Sequence, residues 1–170
     1  IVQQELSDDE SVLITEHYYS EKHNQLLSSG RFCVQFMPFN RNEEGLKILE
    51  HWYEQCLSDC SLSPEKGICG DQKYLDAWPK LYSKVVVSKQ RGAGLAPWNV
   101  ERFHYQRVQK NLILEEQGKE QKVVFYHFHG LKIFDDHQVE LSGERYEIRS
   151  FIYHELYLPY FSALKAAAKL

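Results

Sequence analysis

The sequence predicts an α/β protein in which one mixed sheet carries flanking helices, with residues 1–170 forming a single domain. Two observations predict it. Short apolar runs of strand length alternate with segments whose apolar residues recur at helical spacing. The 170 residues are 43% hydrophobic and 14% aromatic, the composition of a folded chain. A body of this size buries roughly 70% of the surface its unfolded chain exposes, enough for a sizeable core.

The elements follow in order. Ser11 to Thr15 (SVLIT) reads as a short buried strand. Arg31 to Phe39 (RFCVQFMPF) reads as a second, with Phe32, Val34 and Phe36 on one face and Cys33, Gln35 and Met37 on the other. A polar break at Asn40 to Asn42 precedes a helix from Glu43 to Asp59, on which Leu46, Leu49, Tyr53, Cys56 and Leu57 recur at helical spacing. Ser61 to Gly70 is a loop by its Ser, Pro and Gly content. Asp71 to Trp78 reads as a short helix that Pro79 ends. Lys84 to Ser88 is a strand with a Val-Val-Val centre, and Gly92, Gly94 and Pro97 then impose irregular backbone. Asn111 to Glu115 and Lys122 to His129 read as the arms of a hairpin turning near Gly118. Ile148 to Leu170 is a helical pattern that Pro159 interrupts.

Charge and composition exclude several functions. A net charge of −4 and a pI near 6.1 disfavour a phosphate-backbone partner, so nucleic acid is not expected. No run approaches the roughly 20 apolar residues that span a bilayer. The start, Ile1-Val2-Gln3-Gln4, has neither an initiator Met nor a signal-peptide pattern, which leads us to expect missing upstream residues. The four cysteines, Cys33, Cys56, Cys60 and Cys69, contain no CxxC pair and read as reduced thiols of a cytoplasmic protein rather than as a zinc cluster.

Three segments carry chemistry. In Val123 to Gly130 (VVFYHFHG), strand periodicity puts His127 and His129 on one side, roughly 7 Å apart. Gly130 lets the chain turn at the strand end, where α/β proteins place their sites. Neutral imidazoles ligate divalent metals and protonated ones bind diphosphate. The plainer alternative is one core His and one solvated His. In Gly70 to Asp76 (GDQKYLD), Asp71 either caps a helix or faces a cleft, where it orients or deprotonates a hydroxyl, and Gln72 suits sugar hydroxyls. In Gly92 to Asn99 (GAGLAPWN), the glycines permit close backbone approach to phosphate, and Trp98 and Asn99 suit a sugar or base. An ordinary loop around a buried Trp fits this segment equally.

Taken together, GDQKYLDAWP at Gly70 to Pro79, GAGLAPWN at Gly92 to Asn99 and HFHG at His127 to Gly130 resemble a bacterial family of glycosyltransferases with the nucleotide-diphospho-sugar (GT-A) fold. SVLITEHYYS, RFCVQFMPF and the closing LYLPY extend the resemblance over nearly the whole chain. It implies a C-terminal, acceptor-side half of such an enzyme. His127 would ligate a divalent cation, Mn²⁺ or Mg²⁺, and Asp71 would act on the acceptor hydroxyl. Gln72, Trp98, Asn99, His129 and Gly130 would bind substrate. The implied partners are a nucleotide-sugar donor, a saccharide acceptor and a missing N-terminal half. The implied setting is surface-polysaccharide synthesis in the cytoplasm or at the inner membrane's edge. Related sites often continue GxxK, whereas Lys132 here comes one position early.

The chain departs from the pattern in lacking an Asp-x-Asp motif, since Asp8-Asp9 and Asp135-Asp136 are adjacent pairs that do not converge on one ion. An upstream half would supply that motif, and without it we expect weak metal binding, no sugar transfer and self-association of the exposed face. A metal-dependent hydrolase built on the HxH strand and a non-catalytic assembly domain are the alternatives. The first needs three or four ligands, and the remaining histidines are dispersed along the sequence, with no HExxH pair.

Overall fold

A computed structural model describes residues 2–63, 67–134 and 138–168. The middle of the predicted loop, the Asp135-Asp136 pair, His137 and the last two residues lie outside these.

Strand β1, Val12–Glu16, pairs in parallel with β5, Val85–Val87, and at its C-terminal end runs antiparallel to β2, Phe32–Cys33. Val12, Leu13 and Ile14 are fully buried, as a continuous apolar run covered on both faces requires. The predicted strand from Arg31 to Phe39 does not persist. Pairing stops after Cys33 and resumes only as a bridge between Val12 and Phe39. Pro38 has no N–H to donate, although its carbonyl still accepts from the Leu13 N–H at 3.1 Å. The intervening residues therefore do not alternate between two faces. Val34 and Met37 join Phe32, Ile48 and Trp78 in one core, whereas Phe36 packs with Leu13 and Ala93.

Helix α1, Glu43–Ser58, starts where expected: Asn42 Oδ1 accepts from the Gly45 N–H at 2.8 Å. Its buried side rests on Ile48, but Leu46, Leu49, Tyr53 and Leu57 form an exposed stripe instead of facing the core. A small hairpin, β3 (Leu62–Ser63) and β4 (Ile68–Cys69), follows. A 3₁₀ turn over Lys73–Ala77 then runs into α2, Trp78–Leu81. Pro79 lies in the first turn of α2, where its missing N–H costs no hydrogen bond, so it opens that helix rather than ending one.

In the second half, β6 (Ala93–Leu95) pairs in parallel with β10 (Phe125–Tyr126). Strands β7 (His104–Val108), β8 (Asn111–Glu116) and β9 (Lys119–Lys122) make an antiparallel meander. The partner of β8 is thus β9, not the segment from Lys122 to His129. Gln117 and Gly118, with φ of 55° and 78°, close a tight turn between β8 and β9. After Val123 the chain crosses to β6. Strand β7 has no apolar alternation because most of its side chains are exposed, and periodicity gives no sign of it.

The strand pair β11 (Lys132–Ile133) and β12 (Val139–Glu140) precedes a helical tail. The tail comprises α3 (Ser150–Ile152), a π turn over Tyr153–Tyr157 and α4 (Leu158–Ala167) without a break. Pro159 falls in the first turn of α4, and the wider π turn before it accommodates the missing donor. Ile152 and Tyr157 close a core with Leu95, Val100, Phe103, Leu114 and Tyr126. The architecture is mixed α/β with several small sheets rather than one continuous sheet. Among the described residues no helix is long and apolar enough to cross a membrane.

Candidate functional site

Three strands, β1 and the parallel pair β6 and β10, deliver their C-terminal exits to one place. β1 leaves through His17, Tyr18 and Tyr19, β6 through Ala96 to Trp98, and β10 through His127 to His129. In open α/β architectures this edge is where ligands bind.

The rings meet around Trp98. Its centroid lies 5.2 Å from His17, 5.3 Å from His127 and 5.2 Å from His129. His127 and His129 face each other at 5.6 Å, His17 stacks on Tyr19 at 4.6 Å, and Tyr146 lies 6.0 Å from His129 and 5.0 Å from His23. Only Phe125–Tyr126 is regular strand, but the His127 N–H donates to the Leu95 carbonyl at 2.7 Å and extends the pairing by one residue. The His129 N–H then closes back on the His127 carbonyl at 2.8 Å, which keeps both imidazoles on the Trp98 side.

The two imidazoles are unlike. His127 is half-buried and His129 exposed. Burial, then the neighbouring His129, holds the His127 pKa below its usual value, while burial and then Arg145 do the same for His129. His17 is buried, with Nδ1 3.2 Å from the Arg31 carbonyl. Desolvation chiefly depresses its pKa to about 4, so it is neutral at pH 7. Because a carbonyl only accepts, Nδ1 carries the proton and Nε2 is left with a lone pair.

The GAGLAPWN segment holds this edge together from below. Residues 92–100 are all buried. Asn99 donates to the His17 carbonyl at 2.7 Å and the Gly94 carbonyl at 3.0 Å, and accepts from the Ala96 N–H at 2.9 Å. Its amide is fully used on backbone, so Asn99 positions the loop instead of meeting substrate. Trp98 donates from Nε1 to the same His17 carbonyl at 3.0 Å and is the floor beneath the imidazoles, not an exposed stacking platform. The glycines serve packing rather than phosphate. A Cβ on Gly92 would lie 2.0 Å from the Lys122 carbonyl oxygen, and one on Gly94, at φ +109°, would lie 2.3 Å from Gln35 Nε2. Gly130, at φ +75°, makes the left-handed turn that sequence reading assigned it.

Asp71 does not cap a helix, since the 3₁₀ turn begins after Gln72 and has no side-chain cap. Trp52 Nε1 fixes its backbone by donating to the Asp71 carbonyl at 2.9 Å. No hydrogen bond from the described residues reaches its half-buried carboxylate. Burial, with the Asp71 charge adding to it, pushes the Cys33 thiol up to about 11. Cys33 packs in a buried cluster with Tyr19 and Trp98, and among the described residues no hydrogen bond or ion pair joins the Asp71 side chain to His127. Gln72 spends its amide N–H on the Ser29 carbonyl at 3.0 Å.

Sequence reading left His17, His23, Tyr19 and Tyr146 out of the site. The one signal for His17 was its place just past a buried strand; His23 comes from a 3₁₀ helix over Glu21–Ser29, and Tyr19 and Tyr146 from loops that only the fold brings in.

Among the described residues no group of three or more His, Cys, Asp or Glu side chains is arranged to hold a metal ion. The HxH pair offers two nitrogens, whereas Mg²⁺ and Mn²⁺ favour oxygen-rich shells. Among the described residues the HxH pair therefore offers a cation two nitrogens, and a complete shell needs further ligands.

No family model matches the chain, and no solved structure matches it. The chain is similar to two proteins of Bacillus subtilis (strain 168), each named as uncharacterized. YfnF is 30% identical over 128 residues, covering 75% of this chain and 41% of that protein. YfnD is 27% identical over 159 residues, covering 91% of this chain and 50% of that protein. The chain thus spans at most about half the length of these relatives.

Proposed function

We propose that this chain is the acceptor-side part of a glycosyltransferase that takes its sugar from a nucleotide-sugar donor. The observation that carries the reading is the meeting of His127 and His129 around Trp98, on the edge formed by the exits of β1, β6 and β10. Asp71 accepts the proton of the acceptor hydroxyl, for which its carboxylate is open. Gln72 is held beside it by Ser29. His127 and His129 face the leaving diphosphate and donate N–H groups to it. A divalent cation, when bound, supplies Lewis acidity at that diphosphate. Carboxylates beyond these residues must complete its shell. The exposed α1 stripe supports a further part of the reading, that the isolated chain self-associates, which sedimentation over a range of concentrations tests.

The test is sugar transfer from UDP- and GDP-sugars by the natural gene product that carries this segment. Asp71→Asn is expected to lower turnover by about 10²–10⁴-fold, with the fold intact by circular dichroism. Full turnover in that variant removes Asp71 from the chemistry, and absence of any transfer by the parent protein sinks the reading.

A further inference from the structure

Strand β1 sends alternate residues to opposite sides of its exit. His17 and Tyr19 enter the Trp98 cluster, whereas Glu16 and Tyr18 line a polar cleft of about 530 Å³. Ser88 and Lys89, which leave the adjoining parallel strand β5, form a second edge, so the cleft opens at the C-terminal ends of the β1–β5 pair. The meander closes the far side, where Lys119 and Gln121 alternate inward together from β9. Gln121 ties this wall to the loop after β5, its Oε1 accepting from the Arg91 N–H at 2.6 Å. Tyr18 is the strained member. Its φ of 48° is a left-handed backbone that an aromatic residue keeps only where its surroundings hold it. Its hydroxyl donates to the Ser88 carbonyl at 2.9 Å, its carbonyl accepts from Arg102 Nη1 at 3.2 Å, and the Arg91 guanidinium lies 3.8 Å from its ring centroid.

We propose that this cleft binds a small organic oxyanion, a sugar-sized molecule carrying a phosphate or carboxylate group. Lys89, Arg91 and Lys119 all line it. The carboxylates of the lining are already matched: Glu16 by Arg31 at 2.7 Å, and Glu116 by Arg102 at 2.6 Å and Arg91 at 3.4 Å. Glu5, beside the cleft, accepts from the Ser88 hydroxyl at 2.5 Å and the Lys89 N–H at 3.1 Å. Among the described residues no carboxylate pairs with the ammonium of Lys89 or of Lys119, so the cleft is locally cationic in a chain of net charge −4. Ammonium and guanidinium donors hold oxyanions more strongly than they hold neutral acceptors. Val87 and Leu114 add an apolar patch for a carbon skeleton, and pockets of roughly 300–1,000 Å³ suit organic molecules better than bare ions. None of these cations takes part in the proposed transfer, so the cleft stands whether or not the protein moves sugars.

Titration of the isotopically labelled chain with glucose 6-phosphate, glucuronate and glucose at low ionic strength, followed by amide NMR, tests it. At least one of the two acids is expected to give saturable shifts in residues 87–91 and 116–121, and uncharged glucose is not. Which acid binds identifies the head group. The double variant Lys89→Gln, Lys119→Gln is expected to weaken binding about tenfold or more. Lys122→Gln, on the opposite face of β9, leaves it within about twofold. All three lysines are exposed, so these replacements leave the core packing alone, and circular dichroism checks this. No saturable binding of either acid, equal binding of glucose, or shifts centred on His127 and His129 overturns the proposal. So does unchanged affinity in the double variant, or an equal loss in Lys122→Gln.

Discussion

Asn99 concentrates more structural consequence than any other polar side chain near the site. Replacing it with Ala strands the Ala96 N–H and the Gly94 carbonyl in a buried place and removes one of two donors to the His17 carbonyl. Buried groups left without partners cost about 1–3 kcal/mol each. We therefore expect Asn99→Ala to lower stability by about 3 kcal/mol in urea unfolding. His17 makes stability depend on pH. Its pKa is about 4 when folded against the ordinary 6.5, so between these values the unfolded chain binds more protons. The contribution of His17 is complete above pH 6.5, declines as pH falls through the window to 4 and is fully lost below it. The total is about 3 kcal/mol. Urea midpoints measured across pH 4 to 7 should slope accordingly, and His17→Gln should flatten that slope.

At the scale of elements, the glycines of the loop before Trp98 separate a packing role from a ligand role. A methyl group on Gly92 meets the Lys122 backbone, which has no rotamer to change. Gly92→Ala is expected to cost about 3 kcal/mol in urea unfolding. Unchanged stability in that variant would show that the loop has room for a side chain there and would reopen the phosphate role. The same loop shows what the sequence made legible. Its Gly, Pro and Asn content marked an irregular segment, but only the fold reveals that the glycines admit Lys122 and Gln35. Strand β1 and helix α1 were readable because a continuous apolar run and a capped helical period are local signals. Strand β7 was not, because its exposed side chains carry no period, and the parallel pairing of β10 with β6 depends on partners far apart in sequence. His127 and His129 were legible from their spacing, whereas the His17 contribution depends on Trp98 and Asn99, both far from it in sequence, bonding to one carbonyl.

At the scale of the molecule, the core is divided but cross-linked. One apolar cluster is drawn from residues 12–87, built on Val12, Ile14, Ile48 and Trp78, and another from residues 95–161, built on Leu95, Leu114, Ile152 and Tyr157. Two smaller clusters mix the halves: Tyr19 and Cys33 with Trp98 and Tyr146, and Leu13 and Phe36 with Ala93 and Phe125. The Trp98 and Asn99 bonds to the His17 carbonyl lie in the first of these seams, so the candidate site is also the joint. Units of well under a hundred residues bury too small a fraction of their surface to be robust alone. Losing either half exposes the seam clusters of the other, so both should unfold together. Tryptophan fluorescence, which reports on Trp52 and Trp78 in the first half and on Trp98 in the joint, should therefore follow the same urea transition as far-UV circular dichroism. In Asn99→Ala both signals should move to lower urea in step. Two separated transitions in the parent chain would show that each cluster stands by itself, and would leave the three strand exits without a common frame.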